Sequence, residues 1–151
     1  MSKNLFAQVS ALLSSQAIAV EAANAFDRAY EGGKYHEKDF ESDSPNVPIN
    51  LAGLYATTNA AFALATLRDG DDPSEEAFLT ALEDMKSRRL VDEERTVAML
   101  FANATWAAGQ WFRAPKRVER IVFFPLLPEA EKIKDVDQFA AGAQFLLERI
   151  S

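Results

Sequence analysis

The chain contains one histidine, His36, and it lies in a stretch that is rich in carboxylates. The acids that follow it at alternate positions are Asp39, Glu41 and Asp43. Oxygen ligands with this spacing begin a calcium-binding loop, but such a loop needs glycine where Ser44 stands and a bidentate glutamate where Asn50 stands. The pattern therefore favours a solvated polar loop, and no metal site is predicted.

Other forms of side-chain chemistry also lack the residues that they require. With a single histidine the chain cannot supply the paired Glu-x-x-His motifs of a di-metal bundle. Cysteine is absent, and no Gly-x-Ser-x-Gly nucleophile motif occurs. The carboxylate pairs Glu75–Glu76 and Glu93–Glu94 fall in predicted first helical turns, where negative charge stabilises a helix without any catalytic role. We predict no catalytic residue and no cofactor, and a non-enzymatic protein is favoured.

One basic cluster follows two aromatic residues, Trp111 and Phe112. Its cations, the candidate anion contacts, are Arg113, Lys116, Arg117 and Arg120. Such a cluster can hold an acidic partner, a phosphate-bearing ligand or single-stranded nucleic acid. The alternative is a contact with acids of the same chain, for example in 69–76. A net charge of −7 weakens the attraction of polyanions, so the intramolecular contact is favoured and nucleic-acid binding is not predicted.

Charge is absent from three long blocks of the chain, Asn4–Val20, Ser44–Leu67 and Thr96–Phe112. A helix on the surface of a small domain normally carries a charged stripe opposite its apolar stripe. Helices without charge on any side are expected to have lost water on more than one side. Because a chain of 151 residues has few other elements to cover them, we expect a homodimer or a protein partner to provide the cover.

Polar but uncharged residues lie inside two of these blocks, among them Asn59 and Asn103. Buried amides need hydrogen-bond partners, so we expect these two either to pair across a helix interface or to line a small-ligand pocket. The candidate partner or ligand contacts are Tyr55, Asn59, Phe62, Met99, Asn103, Trp106 and Trp111. Close packing of alanine and threonine without a ligand is favoured over a pocket.

Apolar periodicity and breaker residues divide the chain into helices joined by polar segments. The predicted helices are Ser2–Tyr30, a second from between Pro48 and Asn50 to Arg68, a third capped by Asp72, a fourth capped by Asp92, a short one over 118–124, and a last one from Glu129 or Asp135 to Ile150. A strand at Arg120–Phe124 is the alternative to the short helix, which is preferred because a lone strand has no sheet to join. Residues 34–46 form a long charged loop.

The sequence thus predicts one all-α domain over residues 1–151, a bundle of about five to six helices with one long charged loop. Polar residues interrupt the N-terminal block and the 44–67 block, so we expect neither a signal peptide nor a membrane span, and a cytoplasmic protein. The predicted function is a non-enzymatic interaction or regulatory module that self-associates or docks on a protein through uncharged helix faces. The alternative is a small-ligand-binding or catalytic domain with a pocket between the second and fourth helices.

Overall fold

A computed structural model describes residues 5–44, 46–113 and 124–150, with the backbone alone for 46, 48–51, 107–113 and 124. All regular structure in these residues is helical, which confirms the predicted all-α class. The α-helices are α1 (Leu5–Leu13), α2 (Gln16–Ala29), α3 (Asn46–Asp69), α4 (Glu75–Ser87), α5 (Asp92–Arg113) and α6 (Glu129–Arg149). Short 3-10 turns follow α2 at Tyr30–Gly33 and precede α6 at Phe124–Leu126.

The uncharged helix α3 is the centre of the bundle, because it contacts all five other α-helices and packs most extensively on α5. Its buried small side chains include Ala52, Ala56, Ala60, Ala61 and Ala65. Alanine lets neighbouring helix axes approach closely, and a charge at these positions would be desolvated. Helices of the same chain therefore bury these positions of α3, whereas Tyr55, Asn59 and Leu67 of the same helix remain exposed. Cover of that exposed side by a second copy or another protein stays a prediction.

Helix α6 approaches α3 where each helix offers a small residue. A Cβ atom added to Gly142 of α6 would lie 2.4 Å from Oγ1 of Thr57 and 2.8 Å from the ring of Phe26. Thr57 is fully buried, and its hydroxyl donates to the carbonyl oxygen of Gly53 at 2.8 Å, so this polar group is satisfied within its own helix. At Gly142, α6 is thus in close contact with the hydroxyl group of Thr57 in α3 and with the ring of Phe26 in α2.

The predicted continuous helix Ser2–Tyr30 is wrong, because the chain bends by 84° between α1 and α2. Ser15 has extended backbone angles, and its hydroxyl accepts a hydrogen bond from the first turn of α2, at Ile18 N. A serine cap that satisfies a free N–H competes with continuation of the helix. Among the described residues no single helix is long and apolar enough to cross a bilayer; α1 and α2 reach that length and composition only as a bent pair.

The predicted start of the third helix is also wrong. Ser74, and not Asp72, caps α4, and its Oγ accepts a hydrogen bond from Ala77 N at 3.1 Å. Glu75, in the first turn of α4, accepts a hydrogen bond from the backbone N–H of Leu5 at 2.6 Å. This carboxylate therefore caps α1, a contact between residues far apart in sequence.

The remaining helix boundaries lie close to the predicted ones. α3 begins at Asn46, before the predicted start at Pro48, since proline is tolerated in a first turn whose N–H groups have no helical acceptor. Asp92 is the first residue of α5 and not its cap. α6 begins at Glu129, the earlier of the two predicted positions. The predicted helix or strand at Arg120–Phe124 lies outside the described residues apart from its last position.

Residues 34–44 contain no helix or strand, as the predicted loop requires. The backbone N–H of Phe40 donates to the buried side-chain oxygen of Asn24 in α2 at 2.7 Å. The ring of Phe40 packs against a small apolar cluster formed by Ala19, Ala23 and Val47. This segment is therefore held against α2 and the start of α3.

Candidate interaction surface

The side-chain contacts between α3 and α5 set their relative direction. Arg68 near the end of α3 donates to both carboxylate oxygens of Glu94 in the first turn of α5, at 2.7 and 3.1 Å. Asn59, earlier in α3, donates to Oγ1 of Thr105, later in α5, at 3.0 Å. Residue numbers fall along one helix as they rise along the other, so the two helices are antiparallel.

One outward side of this helix pair carries no charge, and we call it the uncharged face. It consists of Tyr55, Asn59, Ala63 and Leu67 of α3 with Val97, Phe101 and Thr105 of α5. Each set is spaced by four residues, which places its members in one row along the helix. Tyr55, Leu67 and Phe101 are large apolar side chains, and they are 43%, 46% and 54% exposed. The face therefore leaves substantial apolar surface in water.

The polar groups of the uncharged face join the two helices at its middle. Thr105 accepts from Asn59 and itself donates to the carbonyl oxygen of Phe101 at 2.9 Å. The expectation that Asn59 is buried is wrong, because its side chain is exposed. A primary amide has two donor hydrogens and an oxygen acceptor, and this contact uses one of those hydrogens. Asn59 thus retains capacity to bind a further group from solvent or from another protein.

Asn103 lies on another side of α5 and faces α6. Its amide nitrogen is 3.3 Å from Oδ2 of Asp135. Burial raises the pKa of Asp135, the hydrogen bond from Asn103 opposes that effect, and the charge of Glu131 adds to it. The expected pairing of Asn59 with Asn103 is therefore wrong, because each amide binds a different partner on a different side of α5.

Three more of the predicted contact residues belong to the interior or its edge. Met99 is 2% exposed and lies in the main core. Phe62 packs against Phe6 and Phe78, with ring centroids 4.9 Å apart in each pair. Trp106 is partly buried against the same core. Of the predicted contacts whose side chains are described, Tyr55 and Asn59 share the uncharged face, while these three do not.

The predicted anion contacts have no described side chains. Trp111 and Arg113 belong to the last turn of α5, where the backbone alone is described. Lys116, Arg117 and Arg120 lie outside the described residues. Binding of an anion by this cluster therefore stays a prediction.

Sequence reasoning missed Leu67, Val97 and Phe101 as members of an exposed surface. The signal that could have found them is a repeated spacing of four residues, which runs from Tyr55 to Leu67 in α3 and from Val97 to Thr105 in α5. That spacing is weak evidence by itself, because other rows on the same uncharged helices are equally apolar.

An ion-pair network marks one end of the uncharged face. Arg68 binds Glu94 through two bonds and donates from Nη1 to Asp84 of α4 at 2.7 Å. The hydrogen bond from Arg68 lowers the pKa of Glu94 against the opposing effect of burial, and the same bond raises the pKa of Arg68. Three helices are tied together here by charge, whereas the uncharged face beside them has none.

His36 is held between two carboxylates in the loop after α2. Its Nδ1 lies 2.5 Å from Oδ2 of Asp27, and its Nε2 lies 3.1 Å from Oδ1 of Asp39, which also pairs with Arg28. The carboxylates bind opposite edges of the imidazole ring, so they do not converge on one point. In the part of the chain that is described, no group of three potential metal ligands is arranged to hold an ion. The cluster attaches the loop to α2.

Comparison of this chain with known protein families, with characterised proteins and with solved structures finds no match.

Proposed function

We propose that this protein is a helical interaction module, and not an enzyme, that self-associates through the uncharged face of α3 and α5. The observation that carries the proposal is the exposure of Tyr55, Leu67 and Phe101 within one surface that has no charged side chain. Contiguous exposed apolar surface with a polar rim is typical of protein–protein contact sites, and aromatic side chains are enriched at their centres.

A second copy of the chain is the favoured occupant because of charge. Each copy has a net charge of −7, so two copies repel each other over most of their surfaces. The uncharged face is a surface on which the two can approach without bringing like charges into a dry interface. Asn59 at its middle is self-complementary, since an amide can donate to and accept from the same group on a twofold-related copy.

The size of the face sets the expected affinity. From Tyr55 to Leu67, α3 rises about 18 Å, and two packed helices are roughly 20 Å wide, which gives a patch of about 360 Å². This is the scale of functional patches on monomers, and about half of the roughly 800 Å² that each partner buries in a standard interface. We therefore expect reversible association with a dissociation constant in the micromolar range.

Sedimentation velocity at protein concentrations from about 1 to about 100 μM tests the proposal. The wild type is expected to change from monomer to dimer across this range. Phe101→Glu places a carboxylate on the uncharged face of each copy and is expected to leave a monomer. Ile133→Glu is the matched control, because Ile133 is an apolar side chain of α6 with 51% exposure, and this variant is expected to dimerise like the wild type.

Two results would contradict the proposal. One is a monomeric mass for the wild type throughout the concentration range. The other is dimerisation that Phe101→Glu leaves unchanged, since the contact would then use a different surface. Circular dichroism of both variants checks that the helices remain, as expected for substitutions at positions more than half exposed.

A further inference from the structure

Two adjoining cavities lie along α6, on a different part of the bundle from the uncharged face. The outer one is a groove of about 270 Å³, lined by Ala29, Gly32, Lys86, Arg88, Asp137, Ala140, Ala141 and Gln144. The inner one is about 20 Å³, lined by Met85, Arg88, Leu90, Arg95, Met99, Val136 and Ala140. Arg88 and Ala140 line both, so the side chain of Arg88 stands between a polar groove and an apolar recess.

The outer groove has an excess of positive charge on a protein that is acidic as a whole. Arg88 donates from Nε to Asp137 at 2.7 Å, and these two charges balance. Lys86 lines the same groove, and its ammonium group forms no ion pair with any described residue. One uncompensated cation favours a ligand that carries one negative charge.

The inner recess is suited to a hydrocarbon group. Its volume is about that of a single water molecule, and apart from Arg88 and Arg95 it is lined by apolar residues, which offer water no hydrogen-bond partners through their side chains. Met85 and Met99 are 2% exposed, and methionine side chains adapt their shape more readily than branched ones. Entry of a short alkyl chain from the groove would require the recess to widen around these two methionines.

The backbone of Arg88 holds its side chain at the wall between the two spaces. Arg88 follows the last residue of α4 with a left-handed conformation, φ 58°, and its N–H donates to the carbonyl oxygen of Met85 at 3.2 Å. The guanidinium is about half exposed, so its rotation toward solvent exchanges two bonds for water, the one to Asp137 and a longer one of 3.4 Å to the carbonyl oxygen of Lys86. Such a surface ion pair contributes little and is readily exchanged.

We propose that these cavities form a binding site for a short-chain monocarboxylate. The carboxylate lies in the groove against Lys86 and Arg88, and the alkyl chain enters the recess beside Met85 and Met99. The recess is far smaller than the groove, which restricts the hydrocarbon part of the occupant to a few carbon atoms.

Methyl NMR of the protein with ¹³C-labelled methionine tests this site with sodium hexanoate as the probe. The chain has three methionines, of which Met85 and Met99 line the recess. Their signals are expected to shift saturably with a dissociation constant on the order of 1 mM, while the signal of Met1 serves as the internal reference. Acetate tests the contribution of the alkyl chain and hexylammonium tests the charge of the head group, and both are expected to bind at least about fivefold more weakly.

Lys86→Gln removes the uncompensated charge without altering the recess and is expected to weaken hexanoate binding about fivefold or more. Arg89→Gln is the matched control, because it removes a cation from the same turn that lines neither cavity. The proposal is overturned if hexanoate up to about 20 mM leaves both recess signals in place. It is also overturned if hexylammonium binds equally well, or if the two variants weaken binding equally.

Discussion

Substitution of Gly142 by alanine tests the close approach of α6 to α3. The added methyl group would lie 2.4 Å from Oγ1 of Thr57 and 2.8 Å from Cζ of Phe26. Neither neighbour can withdraw easily. The hydroxyl of Thr57 is bonded to Gly53, and a Cβ added to Gly53 would itself lie 3.1 Å from the ring of Phe26, which shows how little space remains on that side.

Two opposing effects determine the expected change in stability. Alanine in place of glycine within a helix contributes about 1 kcal/mol in favour of folding. Overpacking a dense core costs about 1–3 kcal/mol, and contacts as short as those of Gly142 indicate the upper part of that range. We expect a net loss of about 1–2 kcal/mol in the free energy of unfolding, or about 2–8 °C in the melting temperature.

Urea and thermal unfolding followed by circular dichroism measure this loss. Ala141→Gly, at the neighbouring position of α6, measures the helix-propensity effect by itself, because it replaces alanine with glycine. We expect it to lower the free energy of unfolding by about 1 kcal/mol. A double-mutant cycle with Thr57→Ala isolates the shortest contact. The double variant is expected to be more stable than the sum of the two single effects by on the order of 1 kcal/mol, because the new methyl group occupies the space vacated by the threonine side chain.

A higher melting temperature for Gly142→Ala would contradict the close approach of α6 to α3. Additive effects of Gly142→Ala and Thr57→Ala would also contradict it, since the two residues would then not be in close contact.

Two carboxylates give further predictions from the directions of their pKa shifts. The pKa of Glu94 is lowered in the folded state, so its ionised form stabilises the fold above its ordinary pKa, and this stabilisation is lost as pH falls below about 4.5. Glu94→Gln should therefore lower the free energy of unfolding by about 1–2 kcal/mol at pH 7. Urea titrations at several pH values should also show a flatter loss of stability toward acid pH for this variant than for the wild type. The pKa of Asp135 is raised in the folded state, so its ionised form destabilises the fold at neutral pH. Asp135→Asn should therefore raise the free energy of unfolding by on the order of 1 kcal/mol at pH 7. This gain should shrink as pH falls toward the ordinary pKa of aspartate, because the wild-type carboxyl group then becomes neutral as well. An unchanged acid profile for the first variant, or lower stability at pH 7 for the second, would contradict these assignments.

Helix boundaries show where sequence patterns stop being decisive. Ser14 and Ser15 interrupt an apolar periodicity that otherwise continues, and the sequence does not reveal that Ser15 caps a new helix. Likewise, Asp72 and Ser74 are both good caps, and the choice of Ser74 leaves Glu75 to cap α1 from a distance. The caps of Ser15 and Ser74 are local hydrogen bonds that compete with equally good local alternatives, whereas the bond from Leu5 to Glu75 joins elements that are remote in sequence and cannot be read from either segment alone.

The amino-acid sequence by itself determined the helical class, the position of the long loop and the central burial of α3, because apolar periodicity and the absence of charge leave few other options for these segments. The tertiary structure alone decided which aromatic residues face water. Phe62 and Phe101 both lie on uncharged helices, yet one is packed in an aromatic cluster and the other is 54% exposed. A helix without charges has no polar stripe to mark its outer side, so only the packing of its neighbours distinguishes core from surface.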